Sequence, residues 1–100
     1  MKTFDGFKVE LASQVLYAGE WGKDDCEWDW ETEDYYFFDE VEAEQFFKKQ
    51  RRKCNVDTPI ISLYECTIEY EYGKYSYYRG DLIAEMANTD SGIEVWWRDK

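Results

Sequence analysis

The carboxylates of Asp and Glu are the chemically active side chains that are most concentrated in this sequence. Residues 20–44 contain twelve Asp and Glu and a single base, Lys23, so this quarter of the chain carries a charge of −11, equal to that of the whole protein. On an extended backbone Asp29, Glu31 and Glu33 share one face, with about 6.6 Å between successive positions. That spacing is of the same order as phosphates along a nucleic-acid strand. Such a row is suited to binding basic groups.

We predict that this acidic segment binds a partner. The candidate binding residues are Glu20, Asp24, Asp25, Glu27, Asp29, Glu31, Glu33 and Asp34. Concentrated like charge costs stability through self-repulsion, which supports a function, while a solvated acidic loop stays open as the alternative. Trp28 and Trp30 take the opposite strand face, where we expect them to anchor the segment in the core. A calcium loop of EF-hand type is disfavoured because Trp30 stands where the sharp turn requires glycine.

Residues suited to catalysis are scarce. The chain has no histidine, which removes the commonest general base, the usual metal ligand and the ordinary partner of a nucleophilic serine or cysteine. An enzyme using paired carboxylates would need two of them converging in an apolar cleft, and the sequence indicates no such cleft. We therefore predict a protein that is not an enzyme and uses no cofactor or metal ion.

One helix is predicted from about Asp39 to Lys53. Asp39 and Glu42 form a variant of the capping box, and the acids of the first turns and the bases of the last turns complement the helix dipole. Its inward stripe is Ala43, Phe46, Phe47 and Cys54, and both phenylalanines are expected to be buried. The five bases of residues 48–53 are explained by the dipole and by solubility, so we do not interpret them as a nucleic-acid site.

The rest of the chain predicts β-strands. Residues 60–72 alternate apolar and polar side chains, and Gly73-Lys74 fits a type II′ turn that would set Tyr70 opposite Tyr77. Gly80 is the expected position of a β-bulge, and residues 93–97 form a last short strand. Residues 7–18 favour a strand, although their apolar spacing leaves a helix open as the alternative.

These elements predict one α+β domain, residues 1–100, with an antiparallel sheet of four to six strands and the helix from about Asp39 to Lys53 packed on one face. No apolar stretch is long enough to span a membrane, and the first residues show no secretory signal. The three cysteines are an odd set without a CxxC motif, which favours a reducing cytoplasm. We expect Cys54 and Cys66 to be buried thiols and Cys26 to be accessible.

In size, charge and lack of catalytic residues, the chain resembles the small phage and mobile-element inhibitors that include DNA mimics and anti-CRISPR proteins. The resemblance rests on composition over the whole chain and on no residue motif, so no site residue is carried over. It implies a stoichiometric inhibitor that occupies the nucleic-acid groove of a nuclease, restriction enzyme or other defence effector in the cytoplasm of a bacterial host.

The implied partner is a basic, nucleic-acid-binding protein. The net charge of −11 disfavours direct binding to nucleic acid or to an anionic membrane. Two alternatives stay open: an immunity protein for a nuclease toxin, and a phage or plasmid accessory domain without an inhibitory role. The sequence leaves the oligomeric state and the strand order open.

Overall fold

The computed structural model describes residues 1–19 and 22–98, and for residues 15–19 and 22–28 it describes the backbone alone. The elements are β1 (Lys2–Gly19), β2 (Gly22–Phe37), α1 (Glu40–Lys49), a 3₁₀ turn (Gln50–Lys53), β3 (Ile60–Glu71), β4 (Lys74–Thr89) and β5 (Gly92–Trp97). The strands form one open antiparallel sheet in the order β2-β1-β3-β4-β5. The predicted α+β architecture, with a helix on one face of the sheet, is confirmed.

Residues 7–18 belong to a strand, as the alternation of their side chains favours. β1 lies between β2 and β3, and its backbone pairs on both sides from Phe7 to Ala12. Val9 and Leu11 are buried, and they face the helix. The helical alternative is wrong because the buried apolar residues Val9 and Leu11 are two positions apart, which places them on the same face of a strand.

The β3–β4 turn differs from the predicted one. Tyr72 and Gly73 both have positive φ angles, 52° and 78°, which is characteristic of a type I′ turn. Tyr70 therefore pairs with Tyr75, and Tyr77 faces Ile68. The predicted register, with Tyr70 opposite Tyr77, is wrong because the two turn residues lie one position earlier than Gly73-Lys74.

β4 is irregular in its middle. The register against β3 shifts twice, once around Gly80, as predicted, and once more between Leu82 and Ala84. The second irregularity turns Ile83 and Ala84 towards the helix, where both are buried. Leu82 remains on the opposite face, which is called the open face below. A bulge at Gly80 alone would not have separated Leu82 from its neighbours in this way.

The core lies between the helix and the middle of the sheet. Its buried residues are Val9, Leu11, Ala43, Phe47, Cys54, Ile61, Leu63, Ile83, Ala84 and Met86. Phe47 is fully buried and meets the edge of Trp97 at a centroid distance of 5.5 Å. Phe46 is only half-buried and packs against Tyr35 and Phe37. The expected burial is therefore confirmed for Phe47 and too strong for Phe46.

The helix begins where its sequence predicts. The Asp39 carboxylate accepts a hydrogen bond from the Val41 N–H at 3.3 Å, and the Asp39 carbonyl accepts one from the Ala43 N–H at 3.1 Å. The α-helix ends at Lys49, and the predicted last turn is a 3₁₀ turn instead. In the part of the chain that the structure describes, no helix is long and apolar enough to cross a membrane.

Two of the three cysteines are buried, as expected. Cys54 belongs to the core under the helix, and Cys66 lies on the open face of β3 beside Gly6. Burial raises the pKa of both thiols, which disfavours the reactive thiolate. The side chain of Cys26 lies outside the described part of the chain.

Replacing Phe47 by alanine should destabilise the protein by about 3–5 kcal/mol, because a fully buried ring leaves a cavity. Phe46→Ala should cost roughly 1–3 kcal/mol, since this ring is half-buried. Val41→Ala on the same helix, with Val41 58% exposed, should change stability by less than about 0.5 kcal/mol. Urea unfolding followed by circular dichroism measures all three, and equal losses for the two phenylalanines would contradict this packing.

Candidate functional site

The first two strands extend beyond the rest of the sheet. β3 pairs with β1 only as far as Ala12, whereas β1 and β2 stay paired to Gly19 and Gly22. We call this two-stranded ribbon, residues 13–19 and 22–31, the acidic arm. Seven residues beyond Ala12 correspond to about 23 Å of strand, in a molecule whose longest dimension is 49 Å.

The base of the acidic arm is attached to the segment that precedes β3. The Gln14 N–H donates to the Asp57 carbonyl at 3.0 Å, and the hydroxyls of Ser13 and Thr58 are hydrogen-bonded at 2.9 Å. Asn55 holds this segment in shape, because its side-chain oxygen accepts hydrogen bonds from the backbone N–H groups of Asp57 and Thr58. The arm thus leaves the sheet from a defined position.

Three of the predicted carboxylates form a row. Asp29, Glu31 and Glu33 are exposed and occupy alternate positions on β2, as the extended-strand prediction requires. Tyr35 and Phe37 continue the same alternation and pack against the core. The carboxylate row, Asp29, Glu31 and Glu33, therefore lies on the helix side of the sheet, beyond the area that the helix covers.

Local hydrogen bonds orient the two ends of the carboxylate row. The Asp29 carboxylate accepts the N–H of Trp30 at 2.8 Å, and the Glu33 carboxylate accepts the hydroxyl of Tyr35 at 2.9 Å. The hydrogen bond and the charge of Glu33 raise the pKa of Tyr35, so this hydroxyl stays a donor at neutral pH.

The strand that carries the row is also an edge of the sheet. Among the described residues, β2 has β1 on one side and no strand on the other, so one row of its backbone groups has no strand partner there. Closely spaced charge on an edge strand discourages another strand from adding to it. Edge protection alone is the structural alternative to a binding role for these carboxylates.

Asp34 does not belong with the row. It lies on the open face and forms an ion pair with Lys8 at 3.5 Å. Lys8 also binds Glu10 at 2.9 Å, and Glu10 lies 3.9 Å from Arg79. The prediction grouped Asp34 with the other carboxylates, but alternation on the strand puts an even-numbered residue on the opposite face.

The Lys8 ion pairs are partly shielded from water. Burial lowers the pKa of Lys8, but the hydrogen bond and charge of Glu10, with the charge of Asp34, outweigh it, and the net effect is a raised pKa. The ammonium also lies 6.0 Å from the centre of the Tyr36 ring. Lys8 is therefore held charged at the centre of the open face.

The remaining predicted site residues are described only in part. Glu20 lies outside the described residues. The backbones of Asp24, Asp25 and Glu27 belong to β2, so they are in the acidic arm, but their side chains lie outside the described part of the chain. The side chain of Trp28 does so as well.

Trp30 is not an anchor in the core. It is 48% exposed and lies on the open face with Thr32 and Ala12. The sequence pattern separates the tryptophan from the carboxylates correctly, but the core is on the carboxylate side of the strand. Nothing in the alternation itself indicates which side the helix covers.

The open face is an aromatic surface that sequence reasoning did not locate. Tyr36 from β2 and Tyr77 from β4 stack at 3.9 Å across two intervening strands, and the Arg79 guanidinium lies 4.8 Å from the Tyr64 ring centre. Trp30 is near one edge of this face and Trp96, 50% exposed, is near the other. The alternation of residues 93–97 places Trp96 on the strand face opposite Val95 and Trp97, and this was the sequence signal for its position.

The described residues provide no metal centre. Among the described side chains, those of residues 1–14 and 29–98, no group of three or more Cys, Asp or Glu is placed to hold a metal ion. No protein-family model matches the chain, and neither a curated protein nor a solved structure matches it. The function is therefore argued from the geometry of the two surfaces, the carboxylate row and the open face.

Lys8→Met should destabilise the protein by roughly 1–3 kcal/mol at pH 7, because Glu10 and Asp34 would lose their shared cation in a partly buried position. The matched control is Arg98→Met, which removes the more exposed pair of Arg98 with Glu65 at 2.9 Å and should cost less than about 1 kcal/mol. Chemical unfolding of both variants measures the difference.

The same lysine should contribute to alkaline unfolding. A raised pKa stabilises the folded state below the ordinary lysine value of 10.5, and this contribution is lost as pH rises through the folded-state pKa. Stability should therefore fall less when Lys8 is methionine as the pH rises from 10.5 to about 12. The comparison uses a Tyr36→Phe background, because the Tyr36 hydroxyl titrates in the same range. Identical pH profiles would contradict the assignment.

Proposed function

We propose that this protein is a stoichiometric inhibitor that presents its acidic arm and carboxylate row to the basic nucleic-acid groove of a nuclease or defence effector, of the anti-CRISPR or anti-restriction type. The observation that carries the proposal is the placement of exposed carboxylates two residues apart on β2, from Glu33 within the sheet to Glu31 and Asp29 on the ribbon that extends beyond it. In this proposal the carboxylates take the positions of phosphates on the basic side chains of the partner.

The shape of the arm supports this proposal. Two strands lie about 4.8 Å apart, so a ribbon of two strands is narrower than a nucleic-acid duplex. Successive carboxylates on one strand face are about 6.6 Å apart. A narrow element with regularly spaced negative charge fits a groove that normally holds a nucleic-acid strand.

Charge also supports the proposal through the rate of association. The protein carries a net charge of −11, and such a field attracts a basic groove over distances of about 8–10 Å at 0.1–0.15 M salt. Complementary charge raises the on-rate more than it raises the intrinsic affinity. An inhibitor that competes with nucleic acid benefits from rapid capture of its target.

Reversal of charge in the row is the first test. The partner is captured from a bacterial lysate with the intact protein, identified by mass spectrometry and purified. Asp29, Glu31 and Glu33 are then changed to lysine, which should weaken binding at least tenfold, chiefly through a slower on-rate. The matched control changes the exposed residues Glu71, Asp81 and Asp90 to lysine and alters the net charge equally. Equal losses in both triple variants would mean that the binding surface lies elsewhere.

Competition with nucleic acid is the second test. The complex is titrated at several salt concentrations with and without a saturating oligonucleotide. We expect binding to be mutually exclusive with the oligonucleotide and to weaken with salt, with a slope shallower than that of DNA, because a folded protein lacks the condensed counterions of a duplex. Simultaneous binding of both ligands would reject mimicry and favour occlusion away from the groove, or the immunity-protein alternative.

A further inference from the structure

A groove crosses the open face of the sheet from one edge strand to the other. One shallow depression extends from Trp30 on β2 to Glu85 on β4, and a second extends from Glu85 to Trp96 on β5. The two measure about 350 and 630 Å³, and they share Glu85. Four strand spacings separate β2 from β5, so the groove is roughly 19 Å long.

The groove exists because side-chain size varies across the sheet. Its floor is formed by short side chains on the inner strands, Ala12, Ser62 and Ala87. At its ends stand the large indoles of Trp30 and Trp96, each about half-exposed at 48% and 50%. Half-exposed tryptophans offer flat faces to a ligand while their other side rests on the sheet.

The carboxylate charge where the two depressions meet is not compensated by any described side chain. Glu85 is half-buried and cross-strand from Trp96, and Glu94 is exposed beside it. Neither carboxylate forms an ion pair with any side chain that the structure describes, those of residues 1–14 and 29–98. Glu10, farther along the groove, is already bound by Lys8. A cation at Glu85 would offset the cost of holding this carboxylate partly out of water.

We propose that this groove binds an extended, arginine-bearing segment of a protein partner. A guanidinium stacks on tryptophan and forms two parallel hydrogen bonds with a carboxylate, so one residue type satisfies both features of the groove. An extended segment of seven residues spans about 20 Å between its first and last residues, so arginines at its first, fifth and seventh positions, all on one face, reach Trp30, Glu85 and Trp96 at once. The carboxylates repel a nucleic acid, and a second copy would bring the same negative charge to this face.

This inference does not depend on the proposed inhibitor function. The carboxylate row lies on the helix side of β2, whereas the groove lies on the open face. Loss of binding at one surface therefore leaves the other intact, and the two sets of variants are distinguishable.

The test uses a seven-residue peptide with serine at every position except 1, 5 and 7, which are arginine and share one face of an extended chain. Its control has citrulline, the neutral isostere, in place of each arginine. Titration of the intact protein is followed by the indole N–H resonances of Trp30 and Trp96, which are assigned with Trp30→Phe and Trp96→Phe. We expect the arginine peptide to shift both resonances and the citrulline peptide to shift neither.

Glu85→Gln tests whether the peptide binds in this groove, because it removes the charge where the two depressions meet and keeps the size of the side chain. We expect it to weaken the arginine peptide at least fivefold, and Glu42→Gln, an equal charge change on the exposed side of the helix, to weaken it less than twofold. Equal effects of the two variants, equal binding of the citrulline peptide, or unshifted indole resonances would overturn the proposal. So would dimerisation in sedimentation experiments that Trp96→Ala abolishes, since a second copy would then occupy the groove.

Discussion

Among the described residues, one short helix with the 3₁₀ turn that follows it covers the sheet, and this small cover determines the rest of the structure. The α-helix has ten residues and is therefore about 15 Å long, whereas the strands reach 16 and 18 residues. The helix buries the middle of one face, where Phe47, Ile61 and Leu63 are fully buried. The opposite face and the acidic arm must be stabilised by their own side chains.

On the open face, aromatic stacking and ion pairs take the place of a second layer of secondary structure. Ile68 is fully buried there, and Gly6 makes room for it, since a Cβ at Gly6 would lie 2.5 Å from the Ile68 side chain. The stacked rings of Tyr36 and Tyr77 and the charges around Lys8 cover the surrounding backbone. As a consequence, large aromatic side chains on this face remain exposed to water.

The alternation of β2 connects both proposed functions to one strand. Asp29, Glu31 and Glu33 point to the helix side, and Trp30 points to the open face. A partner could therefore contact the carboxylate row on one side of the molecule and an arginine-bearing segment could lie in the groove on the other. Both surfaces are suited to basic partners, which agrees with the concentration of negative charge in residues 20–44.

The sequence by itself determined the features that depend on neighbouring residues. The helix start at Asp39, the strand alternation of residues 7–18 and 60–72, and the separation of carboxylates from Trp30 all follow from capping and from the two-residue period. Tertiary structure decided which strand face is the core, how Tyr70 and Tyr77 pair, and that Trp30 and Trp96 border one groove. These features depend on where the helix packs and on turn and bulge geometry, which join residues far apart in the chain and leave no local pattern.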